Sequence, residues 1–308
     1  MKKRGFLCYL ILSLVLVSAF VSCSIEKTSM VTGAYKENPF LTPRVIPSTG
    51  GEVSFLLISD EHIGKTTSGA SHSLTNLYAY MDEQAFPFAV SLGDLSDDGK
   101  LTDAVTSFIS NMTNRTTNKI FLQCVGNHDR HEYGSSYASQ LENAHMSMCR
   151  YVCGDLSMYV LDNSTRTFTE KQFAWLEEAL KADTSRYKIF FAHENICAGT
   201  DLSHTQVMIG FADVSEMNYL FGLMDEYKVG LLFTGHTHKG DIVYDSPDGN
   251  YAEYNICSFV KTNSILEPGD NWYRVTVNMS NGKTVVEGYN GTTLKKDTTR
   301  EFVLPAGK

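Results

Sequence analysis

The chain has 308 residues, 43% of them apolar, and it carries 26 Lys and Arg against 35 Asp and Glu, a formal net charge of −9. This length allows one large domain or two ordinary ones. An acidic chain is poorly suited to bind the phosphates of bulk nucleic acid, which requires clustered Lys and Arg, so we exclude nucleic acid as a bulk partner.

The N-terminus has the composition of an export signal. Three positive charges (MKKR) precede an uncharged apolar run from Gly5 to Ser22, the two parts of a secretory signal peptide. The sequence FVSC, ending at Cys23, resembles a bacterial lipobox, whose cysteine carries the lipid. We therefore expect residues 1–22 to be a lipoprotein-type signal peptide. Cys23 is then a lipid anchor to a membrane of the bacterial cell envelope, with the protein outside the cytoplasm. Soluble secretion and an uncleaved anchor are the alternatives, since about 18 apolar residues barely span a bilayer.

Residues 23–51 are rich in Ser, Thr, Pro and Lys and lack periodicity, which predicts a flexible tether before a single domain of residues 52–308. Five short apolar runs rich in Val, Ile, Leu and Phe then follow. Continuous hydrophobicity of this kind predicts strands buried on both faces. The runs are residues 53–58, 87–92, 119–125, 188–192 and 229–234.

Helical periodicity lies between most of these runs, and a Thr cap precedes the third helical segment. The predicted helices are residues 73–85, 103–112, 169–182 and 214–227. From about Tyr244 the pattern becomes short strands and turns, so we expect an antiparallel end to the chain. Alternating strands and helices predict an α/β domain, in which ligands bind at the carboxyl ends of the strands.

Five cysteines lie beyond Cys23, an odd number that does not suggest a disulfide framework. Cys149 and Cys153, in the sequence CRYVC, leave two interpretations open. They are either a local bridge or small apolar side chains of a strand.

Each of the five apolar runs ends in polar residues of the types that can bind metals. The runs end in DEH (Asp60, His62), GD (Asp94), GNHD (Asn127, His128, Asp129), H (His193) and GHTH (His236, His238). Any one of these motifs is weak, because a lone surface or core histidine is common. If the strands lie side by side, however, all five ends converge on one point.

This ordered set resembles the calcineurin-like metallophosphoesterase superfamily, whose pattern is D-x-H, GD, GNH(D/E), H, GH-x-H, over roughly residues 52–290. The resemblance implies an α/β four-layer sandwich of two mixed β-sheets flanked by α-helices. It also implies two divalent metal ions, Mn, Fe or Zn, since mixed nitrogen and oxygen ligands suit all three. Such a pair activates a bridging hydroxide that attacks phosphorus.

The resemblance also assigns roles to single residues. One metal takes Asp60, His62 and His238, the second takes Asn127, His193 and His236, and Asp94 bridges both. His128 lies beside the metals as an acid or transition-state stabiliser, and Asp129 is expected to orient it and keep it protonated. Asp97 either holds a metal ligand as a hydrogen-bond acceptor or serves a turn.

Three residues differ from those that particular branches of the superfamily have at the same positions, which argues against membership of those branches and leaves fewer candidate functions. Asp98 stands where protein Ser/Thr phosphatases have arginine, Asp97 stands where purple acid phosphatases have tyrosine, and His128 stands where hydrolases of acylated UDP-glucosamine have arginine. The remaining pattern resembles class III cyclic nucleotide phosphodiesterases and small general phosphoesterases. The expected partner is a phosphoester such as a nucleotide or lipid head group, of a monoester or diester type. A catalytically silent binding module is the alternative.

The loops after the strands should set specificity. Arg130, His131 and Lys239 are candidates to hold a phosphate oxygen, and Tyr133 is a candidate to stack on a base, each against the alternative of a solvated loop residue.

Overall fold

The structure is a computed structural model that describes residues 43–48, 50–67, 69–129, 148–197, 214–239, 241–263 and 269–307. The signal peptide, Cys23, Arg130, His131 and Tyr133 lie outside the described residues. Among those described, no helix combines the length and apolar character needed to cross a membrane.

The described residues form thirteen strands and four helices. The strands are β1 (Arg44–Ile46), β2 (Glu52–Ile58), β3 (Ala89–Ser91), β4 (Phe121–Gln123), β5 (Cys149–Cys153), β6 (Leu156–Val160), β7 (Tyr187–Phe191), β8 (Val229–Thr234), β9 (Ile242–Asp245), β10 (Ala252–Asn255), β11 (Asn271–Asn278), β12 (Lys283–Asn290) and β13 (Lys296–Val303). The helices are α1 (Leu74–Gln84), α2 (Asp103–Arg115), α3 (Glu170–Lys181) and α4 (Val214–Tyr227). All five predicted strands and all four predicted helices are present.

The strands form two mixed sheets. One has seven strands in the order β1-β5-β6-β7-β8-β10-β9, and the other has six in the order β13-β12-β11-β2-β3-β4. The predicted antiparallel end holds for β11, β12 and β13. β10 differs, because it is antiparallel to β9 but parallel to β8.

The sheets pack face to face, and helices cover their outer faces, as the four-layer prediction requires. Phe55 of β2 meets Phe191 of β7 edge-on between the sheets, with ring centroids 5.9 Å apart. Leu56 and Ile58 point the other way, into the cluster beneath α1 and α2. The strand is therefore apolar at successive positions because both of its faces are buried.

The helices begin where the sequence supplies side-chain caps. Thr169 before α3 makes a capping box with Gln172, and Thr102 before α2 accepts from the backbone N–H of Val105. Such caps satisfy amide donors that have no partner within the helix. The third helix of the sequence therefore begins at the predicted cap.

The tether prediction is wrong for its C-terminal part. Residues Arg44–Ile46 form the edge strand β1, which pairs in parallel with β5. Ile46 is buried in the core between the sheets. Pairing with a distant strand, rather than a local sequence pattern, orders this segment.

Cys149 and Cys153 are buried, and among the described residues neither forms a disulfide. They are the two ends of β5, and four residues of extended chain span about 13 Å, beyond the reach of a disulfide. They are therefore apolar strand residues.

Candidate metal centre

The carboxyl ends of strands from both sheets meet at one place. β2, β3 and β4 run parallel in the six-stranded sheet, and β7 and β8 run parallel in the seven-stranded sheet. The polar motifs that follow these strands therefore lie together at the edge where the two sheets meet. Sequence order alone could not show that the five strands divide between two sheets.

Backbone hydrogen bonds tie these loops to one another. The N–H of Asp60 donates to Gly93 O at 2.9 Å, and the N–H of His62 donates to Asp94 O at 2.8 Å. Across the sheets, the N–H of His236 donates to Asp60 Oδ2 at 2.9 Å. The loops are therefore fixed relative to each other by the protein alone.

Five of the predicted metal ligands have a left-handed backbone, with φ between 43° and 69°. This region is uncommon for residues other than glycine and often marks functional sites. The five are Asp60, His62, Asp94, His236 and His238. Gly235, before His236, packs its Cα against the Ser59 and Asp60 side chains, where a Cβ has no room.

The first ligand group consists of Asp60, His62 and His238, whose ligand atoms lie close enough together to hold one metal ion. His238 Nε2 is 3.1 Å from Asp60 Oδ1 and 3.2 Å from His62 Nε2. His62 Nδ1 is 3.0 Å from Asp97 Oδ1. Because a carboxylate only accepts, Nδ1 carries the proton and Nε2 keeps its lone pair toward the other ligands.

The second group consists of Asp94, His193 and His236, again close enough for one ion. His193 Nε2 lies 3.1 Å from Asn127 Oδ1, 3.2 Å from His236 Nδ1 and 3.4 Å from Asp94 Oδ2. His193 Nδ1 is 3.0 Å from the carbonyl oxygen of Leu92, so Nε2 again keeps the lone pair.

These donors fit a divalent cation. In each group, ring nitrogens and oxygens lie 3.1–3.4 Å apart, close enough for one cation to contact several of them. Asp94 Oδ2 also lies 3.7 Å from His62 Nε2, which places this carboxylate between the two groups, as expected of a bridging ligand. Imidazole, carboxylate and amide oxygen donors suit Mn, Fe or Zn.

The electrostatics of the site show the same need for a cation. Burial by itself raises the pKa of Asp94, but His193 and His62 together outweigh burial and lower it to about 2. Burial lowers the pKa of His193, yet Asp94 and Asp60 raise it to about 10. The carboxylates of the site thus favour a positive charge beside them, which is the charge that a metal ion would supply.

His128 lies beside the centre and is partly exposed. Its ring meets the His62 ring edge-on, with centroids 4.6 Å apart, and its backbone N–H donates to Asp94 Oδ1 at 2.8 Å. Its Nδ1 is 2.7 Å from Asp97 O. A carbonyl only accepts, so Nδ1 is a donor and Nε2 is left for a ligand. His128, His62 and Asp94 are also close enough to share an ion.

The predicted role of Asp129 as the group that orients His128 is wrong. Asp129 Oδ1 accepts from Ser96 N and Oδ2 from Gly126 N, each at 2.9 Å, and Asp129 is fully buried. The group that orients His128 is instead the carbonyl of Asp97. Burial and repulsion by Asp94 raise the pKa of Asp129 to about 7.

Sequence reasoning missed Glu194 and Asn163. Glu194 Oε2 lies 3.1 Å from His236 Nε2, which leaves Nδ1 of that ring for the second group. Asn163 Oδ1 accepts from the N–H groups of His193 and Glu194 at 3.1 and 3.0 Å. The only available signal was polarity directly after the buried strands β6 and β7.

Lys239 is exposed beside His238.

The fold and the site together define an α/β protein with candidate metal-ligand groups where two mixed sheets meet. A family model described as calcineurin-like phosphoesterase matches residues 53–240, more than half of the chain. The chain belongs to the calcineurin-like phosphoesterase family.

Solved structures show the same fold at low identity. The purple acid phosphatase PPD1 from yellow lupin (Lupinus luteus) seeds is 13% identical with a TM-score of 0.60, over 83% of this chain and 54% of that one. The chain thus spans about half of the lupin structure. GAP50, the anchor in the inner membrane complex of Plasmodium, is 14% identical with a TM-score of 0.62, over 84% of this chain and 91% of that one. A comparison with curated protein sequences gave no match.

Proposed function

We propose that the chain is a metal-dependent phosphoesterase that hydrolyses phosphomonoesters or phosphodiesters at a binuclear centre. The observation that carries the proposal is the convergence of two ligand groups on Asp94, with His128 beside them. The branch proposed is that of class III cyclic nucleotide phosphodiesterases and small general phosphoesterases, with a nucleotide, lipid head group or other small phosphoester as substrate.

The ligand groups prepare the site for this chemistry. Asp60, His62 and His238 would hold one divalent ion, Asn127, His193 and His236 the other, and Asp94 would contact both. When bound, the ions would neutralise charge on the phosphoryl group and activate a water molecule as the nucleophile. Because Asn127 is neutral, the second group adds a ligand without further negative charge.

His128 would act on the substrate. Its Nδ1 is engaged by Asp97 O, so Nε2 is the atom that can donate a hydrogen bond to a phosphoryl oxygen when the ring is an imidazolium. As the bond from phosphorus to the leaving oxygen breaks, the same Nε2 proton can pass to that oxygen. Proton transfer of this kind contributes about 10² to 10⁴ in rate.

The test is hydrolysis of p-nitrophenyl phosphate and bis(p-nitrophenyl) phosphate by the purified full chain in detergent, with Mn²⁺ and with a chelator. We expect release of p-nitrophenol that the chelator abolishes, and the preferred ester would separate monoesterase from diesterase. Asp94→Ala is the inactive control. A folded protein that holds two metals and hydrolyses neither ester, nor a panel of nucleotides, would favour the binding-module alternative.

We also propose that the chain is exported and anchored through a lipid on Cys23. The support is the charged and apolar N-terminus and the lipobox-like FVSC. Expression with labelled palmitate should label the parent and leave Cys23→Ser unlabelled. Equal labelling of both proteins would refute the anchor.

A further inference from the structure

An arginine outside the family's motifs lies next to the second ligand group. Arg166 is in the loop after β6, and its Nε lies 3.5 Å from Glu194 Oε2, the carboxylate oxygen that faces His236. The Glu194 side chain is 1% exposed, whereas that of Arg166 is 42% exposed. The Nε side of the Arg166 guanidinium thus faces a buried carboxylate, while other parts of the Arg166 side chain are exposed to solvent.

The backbone fixes Arg166 in this place. Its φ is +61°, a left-handed conformation that is unfavourable for a long side chain. The N–H of Arg166 donates to Asn163 O at 2.7 Å. Asn163 in turn bonds the backbone of His193 and Glu194 through three hydrogen bonds of 2.7–3.1 Å. One residue therefore joins the loop that carries Arg166 to the loop that carries a metal ligand.

From this arrangement we infer that Arg166 is a substrate-binding residue whose guanidinium contacts a phosphate group of the substrate. A guanidinium has five N–H donors in a planar fork that matches phosphate oxygens, and Glu194 engages it through Nε. The bound phosphate is either the one that reacts or a second phosphate of the same substrate, because both present the same oxygens.

The charge of the site supports an added cation at its rim. The ligand groups contain two carboxylates, Asp60 and Asp94, and Glu194 and Asp97 lie directly behind the ligands. The two divalent ions would offset these four carboxylates, and a positive side chain next to the centre would add the net positive charge that attracts a phosphate. Arg166 is a fixed positive charge on the side of His236. This inference rests on the proposed function, which it deepens by naming a residue that recognises the substrate.

The experiment compares four full-length proteins loaded with Mn²⁺, the parent, Arg166→Ala, Arg166→Lys and Arg186→Ala. Arg186 is the matched control, because it is exposed and lies before β7, at the opposite end of the sheet from His193. The substrates are p-nitrophenyl phosphate, with one phosphate, and adenosine 5′-diphosphate, with two. Initial rates give kcat and KM for each.

We expect Arg166→Ala to raise KM about 10- to 100-fold with kcat within about threefold of the parent, the loss typical of a charged hydrogen bond in binding. The KM of Arg166→Lys should lie between those of the parent and Arg166→Ala, since lysine keeps the positive charge but lacks the planar guanidinium donors. Arg186→Ala should match the parent. A rise in KM for both substrates would place the contact at the reacting phosphate. A rise for the diphosphate alone would place it at the second phosphate.

Two further measurements separate this inference from the proposed function. Calorimetry with inorganic phosphate and pyrophosphate should show weaker binding to Arg166→Ala for at least one of them, and elemental analysis should show unchanged Mn²⁺ content. Unchanged KM and unchanged affinity for both anions would overturn the inference. Loss of Mn²⁺ from Arg166→Ala would also overturn it, since Arg166 would then position Glu194 and His236. A parent without turnover of these substrates, of bis(p-nitrophenyl) phosphate or of the nucleotide panel would refute the proposed function, and the binding data would still decide the role of Arg166.

Discussion

At the residue scale, three of the five histidines in the centre hydrogen-bond the protein through Nδ1 and leave Nε2 for a ligand. Nδ1 faces Asp97 Oδ1 in His62, Asp97 O in His128 and Leu92 O in His193, whereas Nε2 faces Glu194 in His236. Such partners fix the tautomer and the ring orientation of a ligating histidine. Asp97 therefore holds two rings, one through its side chain and one through its backbone.

His128→Ala should keep both metals and lose about 10² to 10⁴ in kcat, because it removes a proton donor and leaves the ligand groups of Asp60 and His193 intact. Asp94→Ala should lose metal, because it removes the carboxylate between the two groups. Metal content and kcat on the preferred nitrophenyl ester distinguish the two variants. A His128→Ala protein as active as the parent would remove His128 from the mechanism.

Asp129→Ala should lower the free energy of unfolding by about 2–4 kcal/mol, because the buried N–H groups of Ser96 and Gly126 would lose their acceptors. Urea unfolding measures this. Asp129→Asn keeps one acceptor oxygen, so its free energy of unfolding should fall by less. If Asp129→Ala unfolds like the parent but shows a shifted pH profile of kcat, Asp129 acts on His128 after all.

At the element scale, strand ends place the site and helix ends stabilise the layers beside it. The buried carboxylate of Asp183 follows α3 and accepts hydrogen bonds from Ser185 N at 2.9 Å and Tyr159 OH at 2.7 Å. Arg150 Nη1 lies 3.6 Å from it. These contacts join the end of α3 to β5 and β6. Burial opposes ionisation of Asp183, but the hydrogen bonds outweigh burial and lower its pKa.

Asp183→Asn should lower the free energy of unfolding at pH 7 by about 1–3 kcal/mol, because it leaves Arg150 without its carboxylate. The folded-state pKa of Asp183 is below its unfolded value. Its ionised form therefore stabilises the fold above the unfolded pKa, and this contribution is lost as the pH falls through the folded pKa. The difference between parent and variant should shrink below about pH 5. Chemical denaturation at pH 7, 4 and 3 measures it, and a constant difference would contradict the assignment.

At the scale of the whole molecule, the centre joins the two sheets. Asp60, His62, Asp94 and Asn127 follow strands of the six-stranded sheet, whereas His193, His236 and His238 follow strands of the seven-stranded sheet. Each proposed metal would therefore have ligands from both sheets. Metal binding should consequently stabilise the packing of one sheet on the other.

Chelation should therefore lower Tm. An ion at about 100 times its Kd contributes about 2.7 kcal/mol, which for a domain of this size corresponds to a drop of about 5–10 °C. Calorimetric scans with Mn²⁺ and with chelator measure the shift. Asp94→Ala is the control, since added Mn²⁺ should change its Tm little. An unchanged Tm in the parent would mean that the sheets pack without help from the metal.

The sequence predicted most of the fold because the relevant signals are local. Apolar runs buried on both faces marked β2, β3, β4, β7 and β8, and a Thr cap marked the start of α3. The strand β1 was missed because its order comes from pairing with β5, more than a hundred residues away in sequence. The lipid anchor at Cys23 and the tether before residue 43 remain predictions.

The sequence by itself determined which side chains form the candidate site, since each ligand directly follows its own strand and its chemistry is readable residue by residue. Only the tertiary structure decided which neighbouring groups contact each of these side chains. Asp129, adjacent to His128, bonds backbone groups instead, while Asp97 holds the His128 ring and Glu194 faces His236 across 42 residues. Likewise, Arg166 contacts Glu194, and Glu194 in turn faces His236. The physical reason is that hydrogen bonds and ion pairs require atoms within a few ångströms, and the packing of two sheets sets those distances.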